Sequence, residues 1–191
     1  GITMWDFFNR CLLQSVRVIK SNKPIVSKVY IPKFILVIIR MCINGFKMFI
    51  SFLIVAVMLI VWRVPITWNI LYCIPILLTL FMLVFGFGCF LLHYGVFVED
   101  LGNVLNIALR LIFYLTGVFW NIMDRLPAPY NAYIGKGNPI AFLLTSMREC
   151  LIYGQTPHRK LLLAWFLIGL VISIIGIRKI YKNENSYVKV I

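Results

Sequence analysis

Polar side chains recur every three or four positions in three otherwise apolar stretches of the sequence. One set is Thr3, Asp6, Arg10, Gln14 and Arg17; a second is Arg40, Asn44, Lys47 and Ser51; a third is Asn103, Asn106, Arg110, Tyr114, Gly117 and Asn121. That spacing places each set on one face of a helix. Because ions facing lipid are costly, these faces could meet and line a polar route through a membrane. Alternatively, Arg40 and Lys47 extend along their helix to the cytosolic interface.

The residue combinations of a self-contained enzyme are missing. Residues 130–137 are not a P-loop, because Tyr130 stands where the first glycine belongs and Gly137 where Ser or Thr is needed. The adjacent acids Glu99 and Asp100 could act in acid–base chemistry or bind a metal, but no second cluster of ligands accompanies them. The five dispersed cysteines argue against a disulfide framework or zinc site. We therefore expect no catalytic, cofactor or metal site in this chain.

The composition is that of an integral membrane protein. Of the 191 residues, 62% are hydrophobic and only 13% are charged, whereas a soluble domain is about half apolar and a quarter charged. The net charge of +13 comes from cations at helix ends and in loops. Membrane topology and anionic lipid explain such a distribution, and we expect no nucleic-acid partner.

A basic segment, residues 17–33, organises the predicted topology. It contains five cations and no acid, and Pro24 and Pro32 interrupt it. Since Lys and Arg concentrate on the cytoplasmic side of membranes, this segment is predicted to be a cytosolic loop between two membrane helices. The side of each later loop then follows by alternation.

The chain is predicted to be all-α, with five transmembrane helices in one domain, residues 1–191. The predicted spans are residues 1–20, 34–62, 68–92, 104–121 and 161–177. Residues 1–20 could instead form an amphipathic helix at the interface. Residues 123–160 are broken by Pro and Gly, and we expect an extracytoplasmic segment there with a re-entrant helix over 140–153. The N-terminus is predicted outside and the C-terminus inside.

Six segments stand out by their order along the chain. They are WDFFNRCL, SNKPIVSKVYIPKFIL, FGFGCFLLHYGVFVEDLGNVL, LIFYLTGVFW, GNPIAFLLTSMREC and the tail IRKIYKNENSYVKVI. In this order and topology, they resemble the membrane permease subunit of ABC type-2 exporters of polysaccharide and teichoic acid. One departure is Thr116-Gly117, where the family commonly has Ser-Pro. A proline would kink the helix, so a fixed bend there is not expected.

The resemblance implies a fold, partners and roles. The family has six spans and an N-terminal amphipathic helix, so this chain is expected to lack that helix and the first span. Two permease copies would join two ATPase subunits, which bind ATP and Mg²⁺. Lys28, Pro32 and Lys33 would couple to the ATPase, with Glu99 and Asp100 in the second cytosolic loop. The re-entrant element would contain Asn138, Pro139 and Arg148.

The resulting hypothesis is export of a lipid-linked glycan across a bacterial cytoplasmic membrane. The expected substrate path includes Arg10, and in it Arg40, Lys47 and Arg110 guide the pyrophosphate and glycan. The residues expected to contact sugar are Trp5, Phe8, Tyr114 and Trp120. Three alternatives remain open: a type-2 permease for lipid or drug, a membrane-embedded transferase using His93, Glu99 and Asp100, and an ion channel.

Overall fold

The computed structural model describes residues 1–26, 31–63, 67–119, 135–184 and 187. Within these residues, the regular structure is entirely helical. The helices are α1 (Ile2–Ser21), α2 (Lys23–Val26), α3 (Phe34–Val61), α4 (Cys73–Phe97), α5 (Leu101–Leu115), α6 (Pro139–Leu151) and α7 (Arg159–Lys182), and a 3₁₀ helix (Trp68–Tyr72) leads into α4.

Three helical segments are long and apolar enough to cross a membrane. They are Phe34–Val61, Trp68–Phe97 and Arg159–Lys182. They confirm the all-α membrane class and correspond to three of the five predicted spans. The amphipathic α1 and the short α5 do not meet the same criteria among the described residues, so a five-span topology stays a prediction.

α5 ends earlier than the sequence indicated. A single helix over residues 104–121 was expected, but the helix stops at Leu115 and the backbone of Gly117 has φ 63°. Only glycine adopts this left-handed conformation without steric cost. The 15 residues of α5 extend about 22 Å, less than a hydrocarbon core of about 30 Å. Its polar face therefore ends near Tyr114, and Asn121 lies outside the described residues.

α1, α3, α4, α5 and α7 alternate in direction, so that two ends of the bundle can be defined. At one end, Lys33 contacts Glu184 and Arg17 lies against Gly102. We call this the basic end, because Arg17, Lys20, Lys23 and Lys33 lie there together with the cations at the end of α7. At the opposite end, Asn69 donates a hydrogen bond to the Gly154 carbonyl. This alternation is the one that the predicted topology requires.

α4 occupies the centre of the bundle, packed between α1 and α7. Glycine permits both contacts. A Cβ at Gly95 would overlap the Val16 carbonyl oxygen and lie 2.9 Å from the Val16 Cα, and a Cβ at Gly176 would lie 2.8 Å from the Cys89 Cβ. Small residues at these positions let the helices approach closely.

The segment between α1 and α3 begins later than predicted. α1 continues through Arg17 and Lys20 to Ser21, so these two cations are helical rather than in a loop. Pro24 lies in the first turn of α2, where a missing backbone donor has no cost. Residues 27–30, including Lys28, lie outside the described part of the chain.

We predict that Gly95→Ala weakens the α1–α4 contact. The added methyl group meets the Val16 backbone, which cannot move without displacing α1, so the free energy of unfolding should fall by about 1–3 kcal/mol. Thermal unfolding of the purified protein measures the change. Gly137→Ala is the matched control, because nothing lies within 4 Å of a Cβ built there. Equal melting temperatures for the two variants would contradict the prediction.

Candidate functional site

The polar faces of α1 and α3 meet inside the bundle. Asn44 Nδ2 donates hydrogen bonds of 2.9 Å both to Gln14 Oε1 and to the Arg40 carbonyl oxygen. Asn44 is 2% exposed, and its Oδ1 has no hydrogen-bond partner among the described residues. Two of the three polar faces in the sequence thus lie against each other, as the hypothesis of a polar route requires.

Two cavities follow this contact, one on each side of the Gln14–Asn44 hydrogen bond. The basic-end cavity has a volume of about 370 Å³, and its lining is Leu13, Gln14, Arg17, Ser21, Arg40, Gly102, Asn103 and Asn106. The central cavity has a volume of about 270 Å³, and its lining is Thr3, Asp6, Phe7, Arg10, Asn44, Lys47, Met48 and Ser51. We refer to the two cavities together as the polar groove.

The polar groove is strongly cationic. Its lining contains four cations, Arg10, Arg17, Arg40 and Lys47, and one acid, Asp6. Asp6 pairs with Arg10 at 3.2 Å, one helical turn apart on α1, as their spacing suggested. Within the described part of the chain, the other three cations have no acidic partner. The groove is therefore suited to an anionic ligand or cargo.

The third polar face, on α5, lines the groove only with residues near the start of the helix. Asn103 and Asn106 line the basic-end cavity. Arg110 and Tyr114 are exposed and line neither groove cavity, with Tyr114 72% exposed. α5 therefore leaves part of its polar face without a partner among the described residues.

Two of the aromatic residues that we expected to contact sugar are buried. Trp5 and Phe8 are 5% and 6% exposed. Their rings are 5.7 Å apart, and Trp5 lies 5.4 Å from the ring of Phe113 on α5. In this arrangement they hold α1 against α5, and contact with sugar stays a prediction. Trp120 falls outside the described residues.

The expected coupling residues differ in accessibility. Lys33 is buried and its Nζ lies 2.9 Å from Glu184 Oε1 near the C-terminus, so its ammonium group is directed into the protein. Pro32 is half-buried, whereas Glu99 and Asp100 are exposed in the turn between α4 and α5. Lys28 is outside the described residues. No local sequence pattern indicates the Lys33–Glu184 pair, because its partners are 151 positions apart.

The C-terminal segment also contacts His93. The Tyr187 hydroxyl lies 2.6 Å from His93 Nδ1, and Tyr187 is fully buried. Burial, with the nearby Glu184 carboxylate, raises the pKa of Tyr187 to about 12, so this hydroxyl keeps its proton at neutral pH. Tyr187 was not anticipated as a partner of His93, because no sequence pattern connects two residues so far apart.

The predicted re-entrant element forms a helix, α6, that is attached to the end of α5. Asn138 is its N-cap, accepting hydrogen bonds from the backbone N–H groups of Ile140 and Ala141, and Pro139 occupies the first turn. Asn138 Nδ2 donates to Thr116 Oγ1 at 3.1 Å. Arg148 donates to the carbonyl oxygens of Gly117 and Val118. The position of α6 relative to a membrane stays a prediction.

Comparison with known proteins adds no assignment. No protein-family model and no curated protein matches the chain. Among the described residues, no three His, Cys, Asp or Glu side chains are grouped so that they could hold a metal ion. The polar groove and the charges of its lining are therefore the features of this chain that point to a function.

We predict that the central cavity contains water. In a background with Cys42→Ala, which removes an exposed thiol, Ser51→Cys should react with a charged, membrane-impermeant methanethiosulfonate. Ile50→Cys is the control, since Ile50 is 45% exposed yet lines neither groove cavity. Because the reactive thiolate forms only where water or charge stabilises it, Ser51→Cys should react at least ~10-fold faster. Similar labelling rates would show that the groove is not wet.

Proposed function

We propose that this chain is the membrane permease subunit of an ABC type-2 exporter, moving a lipid-linked polysaccharide or teichoic acid. The observation that carries the proposal is the polar groove, whose lining has four cations and one acid between α1 and α3. A groove of this charge favours an anionic cargo, such as the pyrophosphate of a lipid-linked glycan. Arg10, Arg40 and Lys47 then guide the anionic part of the cargo.

The Gln14–Asn44 contact separates the two groove cavities and is suited to act as a gate. Interhelical hydrogen bonds of this kind contribute on average only about 0.6 kcal/mol in membrane proteins, so the contact can open at small cost. The buried Asn44 Oδ1, which has no partner within the described residues, can accept a hydrogen bond from a passing sugar hydroxyl. Movement along the groove thus needs a local rearrangement only.

A second copy of the chain completes the path in this proposal. Arg110 and Tyr114 are exposed on α5, and an intramembrane arginine is stable when it faces a bundle interior or a water-filled cavity. Placing α5 of two copies against one another provides that environment. α1 and α5 then count as spans, giving five in this chain, with α6 as the re-entrant element on the extracytoplasmic side and the C-terminus in the cytosol.

The energy source in this proposal is a separate ATPase subunit, which binds ATP and Mg²⁺ and docks at the basic end. Pro32, Glu99 and Asp100 are accessible there, and Lys28 completes the contact. In this proposal Lys33 has a different role from the one expected. Its ion pair with Glu184 fixes the start of α3, so that a displacement of the segment before Lys33 is transmitted to α3. The setting is a bacterial cytoplasmic membrane.

An apolar cavity favours a second candidate, a permease for lipids or drugs. It has a volume of about 480 Å³ between α3, α4 and α6, with Phe49, Phe52 and Phe81 in its lining. Met48 lines both this cavity and the central cavity. An amphiphile can therefore place its anionic part in the groove and its chain in the apolar cavity, an arrangement that suits either a lipid-linked glycan or a simple lipid.

We predict that an ATPase subunit co-purifies with the chain from its native membrane in mild detergent. Lys28→Glu combined with Glu99→Lys should reduce its recovery at least ~10-fold, because charge reversal at an interface replaces attraction by repulsion. Lys160→Glu is the control, an exposed charge at the opposite end. Lys33 is left unchanged, because it is buried in an ion pair with Glu184 and breaking a buried pair would destabilise the fold itself. A chain that purifies alone would refute the exporter assignment.

We also predict that Lys47→Ala and Arg110→Ala reduce export in cells. Each removes a cation from the path, and loss of one charge contact weakens binding of an anion about 10-fold or more. Surface glycan is the measurement, with Lys136→Ala as the control because Lys136 is exposed away from the groove. Normal surface glycan with drug-sensitive growth would favour the lipid or drug permease.

A further inference from the structure

We propose that the basic-end cavity is a binding site for a phosphate group, held by Arg17, Arg40 and the first turn of α5. Arg17 and the α5 terminus were not among the residues expected to touch cargo. The proposal rests on the proposed function where the phosphate belongs to the exported cargo, but binding itself can be measured without transport.

Two arginines from different helices line this cavity, and no acid in the lining balances their positive charge. Arg17 comes from α1 and Arg40 from α3, and no acidic side chain is in the lining. Neither guanidinium has a hydrogen bond or ion pair with any described residue. Guanidinium groups bind phosphate oxygens in a planar, bidentate manner. A phosphate between them would replace a repulsion between like charges with two attractions.

The start of α5 adds backbone N–H groups beside the cavity, next to the exposed acids Glu99 and Asp100. Asp100, the N-cap of α5, makes no side-chain capping bond. The Asn103 N–H donates to the Asp100 carbonyl oxygen, which leaves the N–H groups of Leu101 and Gly102 without a partner supplied by the helix. The Arg17 guanidinium lies against this turn, since a Cβ at Gly102 would be 3.1 Å from its Nε. A cation beside the positive end of a helix dipole is unfavourable by itself. An anion that contacts both groups removes the conflict.

Neutral polar groups complete the site. Gln14, Asn103 and Asn106 supply amide donors from α1 and α5, and Ser21 supplies a hydroxyl. Asp100 lies just outside the lining, 3.4 Å from Asn103 Nδ2, and restricts how far an anion can move towards the turn between α4 and α5. The volume of about 370 Å³ accommodates a phosphate or pyrophosphate with water.

The shared chemistry is the phosphate, and three sources can supply it: a phospholipid head group, a prenyl-linked pyrophosphate, or a free anion. The full-length protein, with any subunits that co-purify, is placed in nanodiscs of dioleoylphosphatidylcholine. The probes are dioleoylphosphatidic acid, farnesyl pyrophosphate and sodium pyrophosphate. Binding is measured by native mass spectrometry and by calorimetry at low and high salt.

Arg17→Gln and Arg40→Gln should each weaken probe binding about 10-fold or more, the usual effect of losing a hydrogen bond between charged partners. Arg178→Gln is the control of equal charge change, at an exposed position on α7, and should bind as the wild type does. Gly102→Ala keeps every cation but pushes the Arg17 guanidinium off the α5 terminus. It should weaken binding while leaving the melting temperature equal or higher, since alanine favours helix.

Each result has a defined meaning. If Arg17→Gln and Arg40→Gln weaken the binding of phosphatidic acid alone, the site is assigned to membrane lipid. If they weaken the binding of farnesyl pyrophosphate alone, it is assigned to prenyl-linked cargo. If they also weaken the binding of sodium pyrophosphate, the result supports a general phosphate site. The proposal is overturned if the wild type binds none of the probes, or if Arg178→Gln loses as much affinity as Arg17→Gln. If binding behaves as expected but no ATPase co-purifies, the site stands and the exporter assignment falls.

Discussion

A charged side chain within a bilayer must face protein or water, and on the long apolar helix α3 this constraint applies to Arg40 and Lys47, which line the groove beside α1. The apolar face of α1 is buried against α4, where Gly95 lets the Val16 backbone approach closely. Its polar face is then directed towards α3, where Gln14 meets Asn44. The groove thus lies on the side of α1 that is left when its apolar face is buried against α4.

The helical faces could be predicted from the sequence because they depend only on a local period. Spacings of three and four positions placed Arg40, Asn44 and Lys47 together, and they do share the face of α3 that meets α1. The end of α5 could not be predicted in the same way. The left-handed backbone at Gly117 is held by Arg148, 31 positions later, through its carbonyl oxygen, and no local pattern contains that contact.

The C-terminal segment shows a similar limit. A short polar tail predicted only a cytosolic end, yet Glu184 and Tyr187 are buried against the start of α3 and the end of α4. A buried ion pair gains little net stability over an apolar pair, but loss of one partner costs about 3–5 kcal/mol. The Lys33–Glu184 pair therefore acts mainly as a constraint on position, fixing the first residue of α3 relative to α7 and the tail.

α5 is held by different kinds of contact at its two ends. Near the start of α5, Gly102 lies against the Arg17 guanidinium and lines the basic-end cavity. At its end, Asn138 and Arg148 of α6 bind Thr116 and the Gly117 carbonyl oxygen. The first contact is exposed and electrostatic, and the second is a set of hydrogen bonds about the turn. α5 has 15 residues and extends about 22 Å, so an anion bound to both Arg17 and the first turn of α5 contacts a helix whose other end is hydrogen-bonded to α6 and its N-cap.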